Sequence, residues 1–153
     1  MENKKDFIAV IIPCYNEFNR LNTKEFSSFL SKEKNQHISF LFVNDGSQDN
    51  TIDLLRELAS KFEKVSFINL EENVGKAEAI RQGVLHSKSQ QFDYIGYFDA
   101  DLAAPLDEIT IAPGGGTLCL VCLASSGILP LLSVTCSSLI LPNCSIVKYA
   151  LSL

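Results

Sequence analysis

Two hydrophobic patterns alternate along the first two thirds of the chain. One is a short, unbroken apolar run. Phe7-Ile8-Ala9-Val10-Ile11-Ile12, ended by Pro13, leaves no polar position for a solvent face and predicts a central parallel strand covered on both sides. His37–Val43 (Ile38, Phe40, Leu41, Phe42, Val43), Val65–Leu70 and Tyr94–Phe98 predict three more strands. Between them the apolar positions take helical spacing. From Asn22 to about Lys34, Phe26, Phe29 and Leu30 stand at i, i+3 and i+4, with Asn22 as cap and Glu25 three residues on. Ile52, Leu55, Leu58, Ala59 and Phe62 mark a second helix over Asn50–Phe62, capped by Asp49 or Asn50. Ala79, Ile80 and Val84 mark a third over Gly75–Lys88.

Strict strand and helix alternation predicts βαβ units with right-handed crossovers and a mainly parallel α/β sheet flanked by helices. In that arrangement all four strand exits share one edge. The loops Pro13–Arg20, Asn44–Asn50 and Asp99–Pro105 therefore converge there, and they are rich in Asp, Asn and Glu.

Charge changes the picture after residue 108. Of 31 charged residues, only Lys148 lies beyond Glu108, and four of the five cysteines (Cys119, Cys122, Cys136, Cys144) sit in the same uncharged stretch. Residues 1–109 are expected to form one unit and residues 110–153 a Cys-, Ser- and Leu-rich tail of different character. Leu118–Leu141 holds no charge over 24 positions, long enough for a membrane span, although Gly127, Pro130 and its hydroxyl content make it a poor one. The other reading of the tail is a frameshift product, which would leave the sheet incomplete after its fourth strand. The spacing of Cys119, Cys122, Cys136 and Cys144 does not fit a zinc site.

The net charge of −5 and the absence of a basic stripe exclude a nucleic-acid protein driven by phosphate neutralisation, and an anionic ligand would need a bound cation. Phe7–Pro13 is too short for an export signal and lacks a cleavage site, so the first part is expected in the cytoplasm or on the cytoplasmic face of a membrane. There is no Gly-x-Gly-x-x-Gly and no Walker loop. His37 and His86 lie apart, and Cys14 has no His partner.

Asp99-Ala100-Asp101 follows the fourth strand directly. Two carboxylates that close repel unless a cation or hydrogen bonds offset them, so the triplet is either a Mg²⁺ or Mn²⁺ site or a solvated turn with Asp101 as a cap. Asp45-Gly46-Ser47 and Pro13-Cys14-Tyr15-Asn16-Glu17 read equally as turns or as ligand loops. In Asn73-Val74-Gly75-Lys76, free N–H groups and a lysine could meet a phosphate or simply open a helix.

In order, "IIPCYNE", "VNDGSQDNT", "NVGKAEAIRQG" and "YFDADLAAPLDEI" resemble the N-terminal half of family 2 glycosyltransferases of the GT-A fold, over about residues 7–109. The Gly-Lys loop and "DADLAAPLDEI" resemble the members that transfer glucose or mannose to polyprenyl (dolichyl-type) phosphate. The resemblance implies a GT-A, Rossmann-like fold and transfer of a hexose from a UDP- or GDP-sugar to an acceptor such as a lipid phosphate, at or near a membrane surface. It implies that Pro13, Tyr15 and Glu17 hold the base and ribose, that Val43 and Asp45 form a second base-contacting segment, and that Asp99, Ala100 and Asp101 form the diphosphate site, with Asp99 and Asp101 on Mg²⁺ or Mn²⁺. Asn44 departs from the first Asp that many relatives carry. The family's catalytic base lies in the second half of the domain, which this chain does not match. The chain is therefore expected to be truncated and inactive alone, the alternatives being a non-catalytic nucleotide-binding fragment or a membrane-tethered pseudoenzyme.

Overall fold

The computed structural model describes residues 7–103, 105–109 and 144–148. Within them a five-stranded sheet runs in the order β3-β2-β1-β4-β5, with β1 Ile8–Cys14, β2 Ile38–Asp45, β3 Val65–Leu70, β4 Tyr94–Phe98 and β5 Cys144–Lys148. The first four strands are mutually parallel, as the alternating pattern requires. The helices are α1 Thr23–Leu30, α2 Thr51–Lys61 and α3 Lys76–Ser87.

The unbroken apolar runs are explained by two cores, one on each face of the sheet. Ile8, Val10 and Ile12 of β1 and Phe40 and Phe42 of β2 join Phe26, Phe29, Leu55 and Leu58 of α1 and α2 in the larger one. Ala9, Ile11, Leu41 and Val43, one residue out of phase, pack with Ala79 and Val84 of α3 on the other face. Phe26 meets Phe40 and Phe42 edge-on, at ring-centroid distances of 5.2 and 5.1 Å. All three rings are fully buried, each contributing about 1.5–3 kcal/mol by its removal from water. The helix on the smaller core lies close to the sheet because of Gly83: a Cβ there would stand 2.6 Å from Ile11 Cγ2.

α1 begins as expected, the Asn22 side chain accepting from the Glu25 N–H at 3.3 Å. It ends at Leu30, short of Lys34. The Ser27 and Ser31 hydroxyls donate back to the carbonyls of Thr23 and Ser27, and buried Asn35 donates to the Phe29 carbonyl at 2.8 Å, closing the helix into a short 3₁₀ turn at Glu33–Asn35.

One strand lies beyond the four expected. β5, from the uncharged tail, pairs antiparallel with β4, from Tyr94 opposite Lys148 to Phe98 opposite Cys144. It covers the outer edge of β4 that a four-strand sheet would leave open. Among the described residues no helix is long and apolar enough to cross a membrane, and the candidate span at residues 118–141 lies outside them.

The topology places the site. From β1 the chain steps outward through β2 to β3, then returns to lay β4 on the other side of β1. The strand order reverses between β1 and β4, and a crevice opens at the carboxyl ends of strands at such a point. Pairing of β1 with β4 stops at Ile11 and Tyr97, whereas pairing of β1 with β2 continues to Cys14 and Asn44. The ends of β1 and β4 therefore part just short of Pro13, near the end of β1, and of Asp99, which follows β4.

Candidate functional site

A cleft of about 380 Å³ occupies that parting, lined by Pro13, Cys14, Tyr15, Glu17, Arg20, Asp45, Asn73, Gly75, Lys76, Asp99, Ala100 and Asp101. All the expected site residues except Val43 are among them. Val43 is fully buried, its side chain packed in the smaller core against α3. Asp45, two residues on and on the same face of β2, lies beyond α3 at the strand end and so reaches the cleft edge.

The first loop is held by the second. The Asn16 N–H donates to Ser47 Oγ at 2.9 Å, and Asn16 Oδ1 accepts from the Gln48 N–H at 2.9 Å. The Glu17 N–H donates to Thr51 Oγ1 at 2.8 Å, and the Phe18 N–H to Asp49 Oδ2 at 3.1 Å. Thr51, fully buried at the start of α2, in turn donates its hydroxyl to Asp49 Oδ1. These bonds offset the left-handed backbone of Asn16 (φ 54°), a conformation that asparagine tolerates best among residues with a side chain. Glu17 is thereby fixed at the cleft with one carboxylate oxygen accepting from Arg20 at 2.6 Å and the other buried without a hydrogen-bond donor.

Asp45 is buried, and its two oxygens accept from the Val74 N–H at 2.8 Å and the Gly75 N–H at 3.0 Å. Charge-assisted bonds of this kind are each worth about 1.5–3 kcal/mol. Asp45 thus fixes the third loop, and any ligand contact it makes draws on lone pairs left over from that task. Gly46 seals the same junction: its φ is +62°, and a Cβ would lie 2.3 Å from the Glu72 carbonyl carbon.

The fourth loop carries the paired carboxylates. Asp99 is mostly enclosed, and its Oδ1 lies 2.5 Å from Lys76 Nζ in an ion pair whose alignment is not that of a hydrogen bond, so this buried oxygen has no hydrogen-bond donor. Asp101 is exposed and accepts from the Ala103 N–H at 3.1 Å. Leu102 follows in the left-handed region (φ 52°), its side chain packed against the larger core. In all, four carboxylates face two cations around the cleft. A diphosphate enters such a field only with a cation. The donor set fits one: hard oxygen ligands, one of them buried without a hydrogen-bond donor, are what Mg²⁺ and Mn²⁺ take. Among the described residues no three His, Cys, Asp or Glu side chains form a metal cage.

The Glycosyl transferase family 2 model matches residues 9–111. The chain belongs to glycosyltransferase family 2. It is 32% identical over 108 residues to the dolichyl-phosphate β-glucosyltransferase ALG5C of Trichomonas vaginalis, covering 67% of this chain and 31% of that protein. It is also 32% identical over 100 residues to a poly-β-1,6-N-acetyl-D-glucosamine synthase of Staphylococcus aureus, covering 65% and 23%. The chain thus spans about a third or less of these relatives. The fold is similar to that of a mannosyltransferase from Pyrobaculum calidifontis in complex with GDP-Man and Mn²⁺, at a TM-score of 0.58 and 21% identity over 78% of this chain and 36% of that one. The GT-A, Rossmann-like sheet expected from the sequence is therefore the fold of this family 2 member.

Some cleft residues had escaped the sequence. Arg20 stands one helical turn past Glu17, and that i, i+3 charge pair was the available signal. Asn73, Gly75 and Lys76, by contrast, belong to the loop that the sequence leaves open between phosphate contact and helix start, and they line the cleft. Burial, seconded by the Glu17 charge, pushes the Cys14 thiol far above the usual range, and its Sγ donates to the Ile12 carbonyl at 3.6 Å. His86 is exposed on the last turn of α3, and His37 lies in the turn before β2; neither lines the cleft.

Proposed function

We propose that this cleft binds a nucleoside-diphosphate hexose, with UDP or GDP as the nucleotide, and that the protein transfers the hexose to a polyprenyl-type lipid phosphate. The observation that carries the reading is the convergence of four separate strand exits on one acidic cleft at the switch point of the sheet. The 32% identity to a dolichyl-phosphate β-glucosyltransferase supports the lipid-phosphate acceptor. Donor binding is the activity proposed for the residues described; transfer is proposed for the protein whose acceptor side completes the cleft.

Pro13 and Tyr15, the latter 43% exposed, offer an apolar and aromatic surface for the base, and Glu17 offers a fixed carboxylate for ribose hydroxyls. Asp99 and Asp101 would hold Mg²⁺ or Mn²⁺. The cation would offset the negative charge that develops on the departing diphosphate. The chain's own part is to fix that charge geometry in advance. Asp45 sets the third loop, and the bonds that Ser47, Asp49 and Thr51 accept set the first, so these two loops need no ordering when the donor arrives.

Calorimetric titration of UDP, GDP and their sugars, with and without Mn²⁺, tests the reading. A metal-dependent component is expected in the unaltered chain, falling at least about tenfold in Asp99→Asn and in Asp101→Asn, as loss of a hydrogen-bonded charge partner implies. Binding unchanged in both variants would refute the metal assignment, and no binding of any nucleotide would refute the donor site.

A further inference from the structure

We infer that Lys76 is the counter-cation of Asp99 when the cleft is unloaded, that it competes with the divalent ion for that carboxylate, and that on loading it is handed over to the donor's diphosphate. The inference rests on the reading of the cleft as a metal and diphosphate site, and it assigns a role to a residue outside the carboxylate pair.

The geometry has three parts. Lys76 Nζ stands 2.5 Å from Asp99 Oδ1, the one oxygen of the pair that is buried without a hydrogen-bond donor. The Asp99 side chain is only 22% exposed while that of Lys76 is 57% exposed, so the carboxylate is fixed and the ammonium is free to swing. Nζ also lies 5.9 Å from the centroid of the Tyr97 ring, which supplies a weak second hold on the resting position. Lys76 is the first residue of α3, directly after the loop that Asp45 clamps, so its backbone stays put while its four-carbon stem moves.

Charge dictates the exchange. A divalent ion on Asp99 would sit beside the ammonium and repel it, so metal and lysine cannot share Oδ1. A metal that takes that oxygen alone would therefore displace Lys76 without offering it a new partner. A diphosphate arriving with the metal supplies one, because both Lys76 and Asp99 line the same cleft. Metal and diphosphate should then bind synergistically, and the metal alone weakly. An acidic cleft open to a cytosolic supply of free divalent ions would thus stay unloaded until the donor comes.

The test titrates the 153-residue chain and its Lys76→Met and Lys76→Arg variants with MnCl₂ alone, with pyrophosphate at saturating Mn²⁺, and with UDP and GDP at saturating Mn²⁺. Lys76→Met should bind Mn²⁺ alone about three- to tenfold more tightly, the range expected for removing a half-exposed competing ion pair and its repulsion of the metal. It should bind pyrophosphate and nucleotide about tenfold more weakly, having lost one charge-assisted contact, and Lys76→Arg should restore both. Mn²⁺ affinity unchanged or reduced in Lys76→Met overturns the inference even where nucleotide binding is intact. Tighter Mn²⁺ in Lys76→Met with no nucleotide bound by any form upholds the competition and removes the donor reading instead.

Discussion

The two walls of the cleft are built on opposite principles. The wall formed by the first and second loops is tied by hydrogen bonds to backbone N–H groups: Asn16, Glu17 and Phe18 each donate to a side chain of the segment Ser47–Thr51, and Gln48 donates to Asn16. The wall formed by Lys76 and the Asp99–Asp101 loop has no such stitching among the described residues: one half-exposed ion pair joins Lys76 to Asp99, at an oxygen without a hydrogen-bond donor, much as Arg20 pairs with Glu17 on the first wall. The buried bond from the Glu17 N–H to Thr51 costs its full desolvation when broken, and the three exposed bonds around it add to the clasp, whereas an exposed ion pair is worth little and is screened by salt. The first wall is suited to recognising a group of fixed shape, the second to exchanging charges. Substitutions that strike the two walls should therefore separate: changes in the first lower stability and base recognition together, and changes in the second alter ion binding in a chain that stays folded.

The largest effect should come from Gly46→Ala, at the junction of the second and third loops. The new Cβ meets backbone of Glu72 and Asn73 at 2.3 and 2.4 Å, and φ +62° is strained for any side chain. A loss of about 2–4 kcal/mol in unfolding free energy is expected, read from urea denaturation, because backbone on both sides must shift. A loss below about 1 kcal/mol would mean that the junction is soft and the contrast between the walls overstated.

Next is Thr51→Val, nearly the same shape without the hydroxyl. It leaves the Glu17 N–H buried without an acceptor and takes a donor from Asp49, at a cost of about 1–3 kcal/mol. It sharpens the comparison because nucleotide affinity should fall while Mn²⁺ affinity stays put. Equal loss of both would show that the walls are not independent.

Much of this was legible in the sequence, for reasons that differ by residue. The strands could be read because β1 and β2 are buried on both faces, so no polar residue interrupts Ile8–Ile12 or Phe40–Val43. Asp99 and Asp101 could be placed because a strand exit is a topological fact that local residues announce. The burial of the Val43 side chain against α3 was not legible, because an unbroken apolar run does not say which of its residues meets a helix and which ends the strand. The stitches among Asn16, Glu17, Ser47, Asp49 and Thr51 were invisible, since each joins residues 31 to 34 positions apart by groups that read locally as turn formers. β5 was missed because Cys144–Lys148 sits in a stretch whose composition has no strand period to distinguish it. The early end of α1 lay in side-chain hydroxyls bonding back to carbonyls, where apolar spacing carries no information.

The smallest effect is the one that isolates a single charge in the first wall. Burial alone would raise the Asp49 carboxyl, but the Thr51 hydroxyl, the Thr51 N–H and the Phe18 N–H bond its charged form and bring it below the ordinary value of 3.8. A carboxyl that binds its proton less readily folded than unfolded stabilises the fold fully above pH 3.8, and loses that contribution as pH falls through its lower folded value. Two carboxyls outside this wall share the window: Glu78, held at about 2 mainly by the Arg81 guanidinium, and Asp107, lowered by Lys32 and Lys34. Acid unfolding by itself therefore does not single out Asp49, but Asp49→Asn does. Its stability between pH 4 and pH 2 should fall less steeply than that of the unaltered chain, while above pH 5 the two curves should run parallel, the variant slightly lower. An undiminished slope in Asp49→Asn would assign the acid sensitivity to Glu78 and Asp107, and the clasp between the first two loops would then owe its strength to the Thr51 hydroxyl and the Asn16 amide without help from charge.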